Sequence, residues 1–255
     1  MDGLGGWLPE GIGAGFALLL VSASFLTSAL TAGFGIGGGV AMLVLMGLVL
    51  PVASLIPVHG AVQLGSNLGR AWHWRAHVRH SIAAPFIMGS LVGAVLGAMI
   101  VVRLPDAPLK LMLGVFVIAV TWVPIAGFRT LGGAGLAAGS ALLALLGMFF
   151  GATGPLLSAF FAQLLPDDRR ALIATHAAGM SVQHGLKVAA FWLAGFAFAD
   201  WLPLIAVMIA TGYFGTRLGS CLLDRLPEAR FRRWFRMGLT LLALDLVRRG
   251  LAGLF

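Results

Sequence analysis

Apolar residues run along this chain in long blocks, cut by short clusters of glycine, proline and charge. The blocks cover roughly 12–32, 34–50, 52–76, 81–102, 109–127, 131–150, 152–165, 170–198, 202–223 and 232–253. About 20 apolar helical residues cross the hydrocarbon core of a bilayer, and most blocks reach that length. The pattern predicts an all-α polytopic membrane protein with roughly eight to ten segments. Two blocks, 34–50 and 152–165, are short and open in glycine-rich sequence. The openings are Gly33-Phe34-Gly35-Ile36-Gly37-Gly38-Gly39 and Gly147-Met148-Phe149-Phe150-Gly151-Ala152-Thr153-Gly154-Pro155. Glycine is a poor helix former, so each run predicts a break or re-entrant segment, with helices resuming at Val40 and Leu156. Such backbone is tolerated at membrane depth only inside protein or beside a water-filled cavity. The same glycines would also serve close helix packing, a role that Gly93 with Gly97 and Gly215 with Gly219 fit better.

Polar residues inside two of the blocks fall on stripes. Block 52–76 carries His59, Gln63, Ser66 with Asn67, Arg70 and Trp74, spaced as one face of an α-helix. Block 170–198 carries His176, Gln183 with His184, Lys187 and Phe191 at matching intervals. A basic residue, Arg70 or Lys187, closes each stripe.

That match belongs to a longer one. Arg103-Leu104-Pro105-Asp106-Ala107 recurs as Arg225-Leu226-Pro227-Glu228-Ala229, each copy following its small-residue pair at the same distance. The order in each half is glycine-rich break, polar helix, small-residue helix, acidic turn, closing helix. The division predicts two transmembrane repeats, 1–128 and 129–255, of about five segments each. An odd segment number turns the second repeat upside down, the inverted arrangement of secondary transporters, which place their site at the repeat interface.

Composition narrows the class. The chain of 255 residues is 60% apolar and 10% charged, with mean hydropathy +0.99. That excludes a soluble enzyme, a disordered protein and a disulfide scaffold, and Cys221 has no partner for an internal disulfide. The net charge of +8 reads as topology rather than nucleic-acid binding, because Lys and Arg collect in cytoplasmic loops. The start is acidic, unlike the basic head of a signal peptide, so the first block is expected to stay as a span. Clusters at Arg70, Arg75, Arg79 and at Arg225, Arg230, Arg232, Arg233, Arg236 are assigned to the inside. Arg129 then lies inside, and both termini lie outside, as does Asp200. Arg103 and Lys110, and Arg248 with Arg249, run against the rule. Asp245 is expected to pair with Arg248 and Arg249, and Arg217 to reach for the interface.

A Lys or Arg at the bilayer centre costs about 2.5–3.5 kcal/mol on insertion scales, so Lys187 requires an anion, a carboxylate or water. Asp167 and Asp168 lie near the far end of its block, and no acid stands near it. Snorkelling is the alternative for Lys187, and a plain span end the alternative for Arg70. Membrane-depth cations, amides and helix N-termini make an anion site. The candidate substrate-binding residues are Arg70, Lys187, Gln63, Asn67, Ser66, Gln183, His184, His59, His176, Gly37, Gly38, Gly39, Thr153 and Gly154. His73, His77 and His80 look like loop residues. With no carboxylate or cysteine cluster, no metal and no cofactor is expected, and no catalytic residue.

At these residues the chain resembles the sulfite exporter TauE/SafE family, within the toluene-sulfonate uptake permease superfamily. The resemblance is carried by Gly33-x-Gly35-x-Gly37-Gly38-Gly39, by Gly151-Ala152-Thr153-Gly154-Pro155, and by the polar helix after each. It implies an inner-membrane, multi-pass permease or exporter for a small sulfur oxyanion or organosulfonate, with the glycine-rich breaks lining the route. Alternating access around a central site is the expected mechanism. A channel-like anion facilitator shares the same chemistry, and a Thr153/His184 intramembrane hydrolase is the alternative from another class. The partners expected are the anion and the lipid bilayer, without nucleic acid; a homo-oligomer is compatible with the sequence.

Overall fold

Each glycine run parts two helices, and the parting gives the molecule its layout. The computed structural model describes residues 8–9, 11–34, 37–101, 105–123, 132–165, 168–222 and 228–254. Among them the chain is all-helical, without strands. The first half holds α1 (Ala14–Phe34), α2 (Gly38–Val49), α3 (Val52–His73), α4 (Ala83–Val101) and α5 (Asp106–Trp122). The second holds α6 (Gly132–Phe150), α7 (Gly154–Leu164), α8 (Arg169–Leu193), α9 (Phe198–Leu222) and α10 (Glu228–Ala252). Two 3-10 turns, Arg75–His77 and His80–Ile82, link α3 to α4. Gly35, Arg103, Arg129, Asp167 and Arg225 lie outside the described residues, and with them Leu104, Leu226 and Pro227 of the two acidic turns. The side chains of Cys221, Arg230 and Arg232 lie outside as well.

The short helices start two residues before the predicted points, at Gly38 and Gly154 rather than Val40 and Leu156. Gly37 provides the reason in the first half: at φ 109° it turns the chain, leaving the following glycines free to take helical angles. Pro155 does so in the second, since proline suits a first helical turn. Other block edges move as well. α8 stops at Leu193, where Gly195 turns at φ 93°. α5 begins early at Asp106, behind Pro105.

Four helix pairs build the bundle: α1 with α9, α4 with α6, α5 with α10, and α3 with α8. The first two are parallel and use the small residues. Gly215 and Gly219 rest on the Phe25 and Ala29 carbonyls of α1, and Gly89 and Gly93 rest on the Ala137 and Ala141 carbonyls of α6. A Cβ at any of these would overlap the facing main chain, so the close approach depends on glycine. Gly97 packs against Met148. The α5–α10 and α3–α8 pairs are antiparallel, with Gly250 beside Leu111 and Gly60 beside Lys187. Exchanging the first five helices for the last five, in order, converts the α1–α9 pair into the α6–α4 pair. It leaves the other two pairs unchanged.

Burial follows from that plan. One apolar core gathers Leu43, Leu55, Leu113, Met208 and Leu246, and another gathers Phe86, Leu143, Leu157 and Phe160. The outer face of α4 is apolar and exposed at Met88, Leu91, Val95 and Met99, as a lipid-facing helix is. By length and composition, Ala14–Thr31, His80–Val101, Gly132–Phe150 and Phe198–Gly219 can cross a membrane. α3 and α8 carry the polar stripes and lie against each other, enclosed by neighbouring helices.

Polar contacts tie the ends. Asp168 caps α8 through the Ala171 N–H at 2.9 Å and meets Arg79 of the α3–α4 link at 3.2 Å. That N–H first, then the Arg79 charge, outweighs desolvation and holds the Asp168 carboxyl below its ordinary range. At the opposite ends, Asp106 accepts from the Val52 N–H at 2.6 Å and pairs with Lys110 at 2.6 Å. Asp245 pairs with both Arg248 and Arg249 at 2.7 Å, as the spacing predicts. Arg217 donates to the Tyr213 hydroxyl at 2.9 Å.

Candidate functional site

α2 and α7 begin inside the protein, and no side chain caps either start. The first N–H groups of an α-helix have no partner within the helix. Gly38, Gly39 and Val40 at one start, and Gly154 and Leu156 at the other, therefore present donors and the positive end of a helix dipole. Both starts border one cavity of about 40 Å3, with Gly37, Gly39, Val40, Gly154 and Pro155 in its wall. A water needs about 10–15 Å3 on this measure, so there is room for roughly three waters or one small oxyanion.

The rest of the wall comes from the stripes. From α3 it takes His59, Gln63, Asn67 and Arg70, and from α8 it takes His176 and His184. The two histidines that open the stripes act alike. His59 Nε2 donates to the Gly39 carbonyl at 2.9 Å, and His176 Nε2 donates to the Gly154 carbonyl at 3.0 Å. Each long helix thereby holds the start of the short helix in its own half. The rings of His59 and His184 meet edge to face at 6.0 Å.

Arg70 and Lys187 part company. Arg70 faces the cavity, its Nη2 donating to Asn67 Oδ1 at 2.8 Å while Asn67 Nδ2 donates to the Gln63 carbonyl at 2.8 Å. Its Nε is buried without a partner. Arg70 also stands in the last turn of α3, so it borders the cavity from near the end of its helix. Lys187 is 3% exposed, so it does not snorkel, and it lies outside the cavity wall. Its Nζ donates to the Gly151 carbonyl at 2.7 Å, on the turn before α7. Among the described residues, neither cation has an acidic partner.

Four more predicted residues stand back from the cavity. Gly38 packs on Thr27 and Thr31. Gln183 is buried and donates to Ser90 Oγ at 3.4 Å, leaving its Oε1 without a partner. Thr153 is buried at the N-cap of α7, and no hydrogen bond joins it to His184. Ser66 is half-buried on α3. Reading the sequence missed Thr31, Met180 and Ala152, which also line the cavity. Thr31 donates to the Thr27 carbonyl at 2.9 Å, and that pair of hydroxyls one turn apart in an apolar block was the available signal. Met180 and Ala152 carry no polar mark.

The arrangement combines a fixed cation, helix N-termini and neutral donors around a small space, with no nearby acid. It suits a small anion rather than a metal, and no group of three metal-ligating side chains occurs among the described residues. The family model for Sulfite exporter TauE/SafE matches residues 19–246, most of the chain. No curated protein and no solved structure matches the chain.

Proposed function

Because the chain belongs to the sulfite exporter TauE/SafE family of membrane transporters, we propose that it carries a small sulfur-containing anion, sulfite or an organosulfonate, across the inner membrane. The observation that carries the reading is the convergence of two uncapped helix starts and Arg70 on one acid-free cavity. Charge-assisted hydrogen bonds from a guanidinium and from main-chain N–H groups match the oxygens of a sulfite or sulfonate head. Gln63, Asn67, His59, His176 and His184 border the same space, together with Gly37, Gly39 and Gly154. Ser66, Gly38, Thr153 and Gln183 support them. Lys187 fixes the Gly151 turn and adds positive field.

Transport proceeds by alternating access of the repeats 1–128 and 129–255, read as inverted copies. Three features support this: the exchange of helix pairs between halves, the matched His59 and His176 bonds, and Arg70 and Lys187 at corresponding stripe positions. The ends of the molecule bearing Arg75 and Arg79 face the cytoplasm, which leaves both termini outside. The test is flux of sulfite, sulfoacetate and sulfate into proteoliposomes, with wild type and Arg70→Met side by side. Sulfite or sulfonate flux that exceeds sulfate and collapses in the variant is expected. Flux of none of them, or equal flux in the variant, rejects the reading.

A further inference from the structure

Three imidazoles border the cavity, and they are not equivalent. A carbonyl oxygen only accepts, so His59 and His176 must each keep a proton on Nε2 to hold Gly39 and Gly154. Those nitrogens are committed to the fold. His184 makes no hydrogen bond at either ring nitrogen among the described residues. Its Nδ1 is enclosed without a partner, as is that of His59, but His59 and His176 each hold a carbonyl through Nε2, so His184 is the cavity imidazole with neither nitrogen tied to the fold.

We propose that the cavity binds its anion together with one proton carried on His184, making the protein a proton–anion co-transporter. This rests on the anion reading above and adds the coupling ion. The titratable and charged groups facing His184 are Lys187 and His176 from its own helix, and His59 and Arg70 from α3. α4, α6 and α7, which also pack against α8, carry no titratable side chain. Arg75, His77 and Arg79 of the α3–α4 link pack at the other end of α8, where the Arg79 N–H meets Thr175.

The company of His184 is therefore cationic, with no carboxylate to balance it. A proton on His184 adds a further positive charge to an empty cavity, which is unfavourable. An anion in the cavity reverses that sign and offers an acceptor to the new N–H. Proton and anion each raise the affinity of the other, and linkage makes the effect reciprocal. The step is a proton transfer from water to the imidazole and back, with no bond to the anion made or broken. In its bound state the cavity then carries the anion and its compensating proton as one neutral load.

Calorimetry in two buffers of different ionisation heat counts the protons. Methanesulfonate is the first probe because it stays ionised and brings no proton. Sulfite is the second, with its own proton subtracted by calibration. Wild type is expected to take up one proton per anion, with affinity rising about tenfold for each unit of pH lowered through the titration. His184→Gln is expected to bind either probe without proton uptake. Anion binding with no proton taken up by wild type overturns the coupling and leaves the anion reading standing, as does equal uptake in the variant. Failure of both probes to bind overturns the anion reading itself. Transport currents on supported membranes need no variant: one-to-one movement of methanesulfonate with a proton gives no net current and a pH change inside. A net anionic current rejects the proposal.

Discussion

Lys187 sets its ammonium 2.7 Å from the carbonyl oxygen of Gly151, while Arg70, at the corresponding place on the other stripe, faces the cavity. Gly151 adopts φ 72°, and a Cβ there would lie 2.7 Å from Leu43. The lysine secures a turn that only glycine fits easily.

Lys187→Met should therefore act mainly on the fold. It leaves the buried Gly151 carbonyl without a partner, a loss of about 1–3 kcal/mol, and should lower the melting temperature in detergent. Anion affinity should fall less in this variant than in Arg70→Met, where at least a tenfold loss is expected, about 1.4 kcal/mol. Titration of sulfite against both variants checks the order; a larger loss in Lys187→Met would place the lysine at the anion instead.

Gly215→Val and Gly93→Val should each destabilise the bundle by about 1–3 kcal/mol or more, because the new side chain meets the Phe25 or Ala141 carbonyl. Gly238, with nothing within 4 Å of its Cβ position, is the control and should tolerate alanine. Thermal unfolding in one detergent compares the three, and an unchanged melting temperature for either valine variant would refute the close-packing account.

His59→Ala and His176→Ala should have similar effects, since each loses one hydrogen bond to the start of a short helix. About 1 kcal/mol of stability is expected from each. Glutamine, which still offers a donor, should restore part of it. Hydrogen exchange at Ala41 and Leu157, the amides that close the first turn of each short helix, reads the loosening, and exchange that does not change in the alanine variants counts against the bond.

Asp168 has a depressed pKa in the folded chain, so the sign of its pH effect is fixed. Its contribution to stability is present above the unfolded carboxylate value and is lost as pH falls through the folded one. Asp168→Asn keeps an oxygen for the Ala171 N–H and should lose less than Asp168→Ala. Both variants should flatten the acid limb of the stability curve, which melting temperatures across a pH series would measure. An unaltered acid limb would remove Asp168 from the account.

The stripes were legible because a helix repeats its faces, so the spacing from His59 to Arg70 placed those side chains on one wall without any knowledge of the fold. The short helices were legible through glycine, although their starts were displaced. Propensity puts Gly38 and Gly154 in the break, whereas Gly37 and Pro155 settle the turn and let those residues join the helix. The different fates of Arg70 and Lys187 could not be read. Periodicity gives the face a side chain leaves from, but the carbonyl within its reach depends on where the other half of the chain packs. Met180 and Ala152 were hidden for a related reason, since an apolar side chain lining a cavity looks the same in sequence as one filling a core.

At Gly37, Gly39 and Gly154 the cavity wall is peptide rather than side chain. The N–H groups of Gly39 and Gly154 persist through any substitution except proline, so changing a side chain does not delete them. Engineers seeking a new substrate would find a basal appetite for anions that is hard to abolish. Selectivity would have to be rewritten on α3 and α8, leaving the glycine starts as a reusable socket.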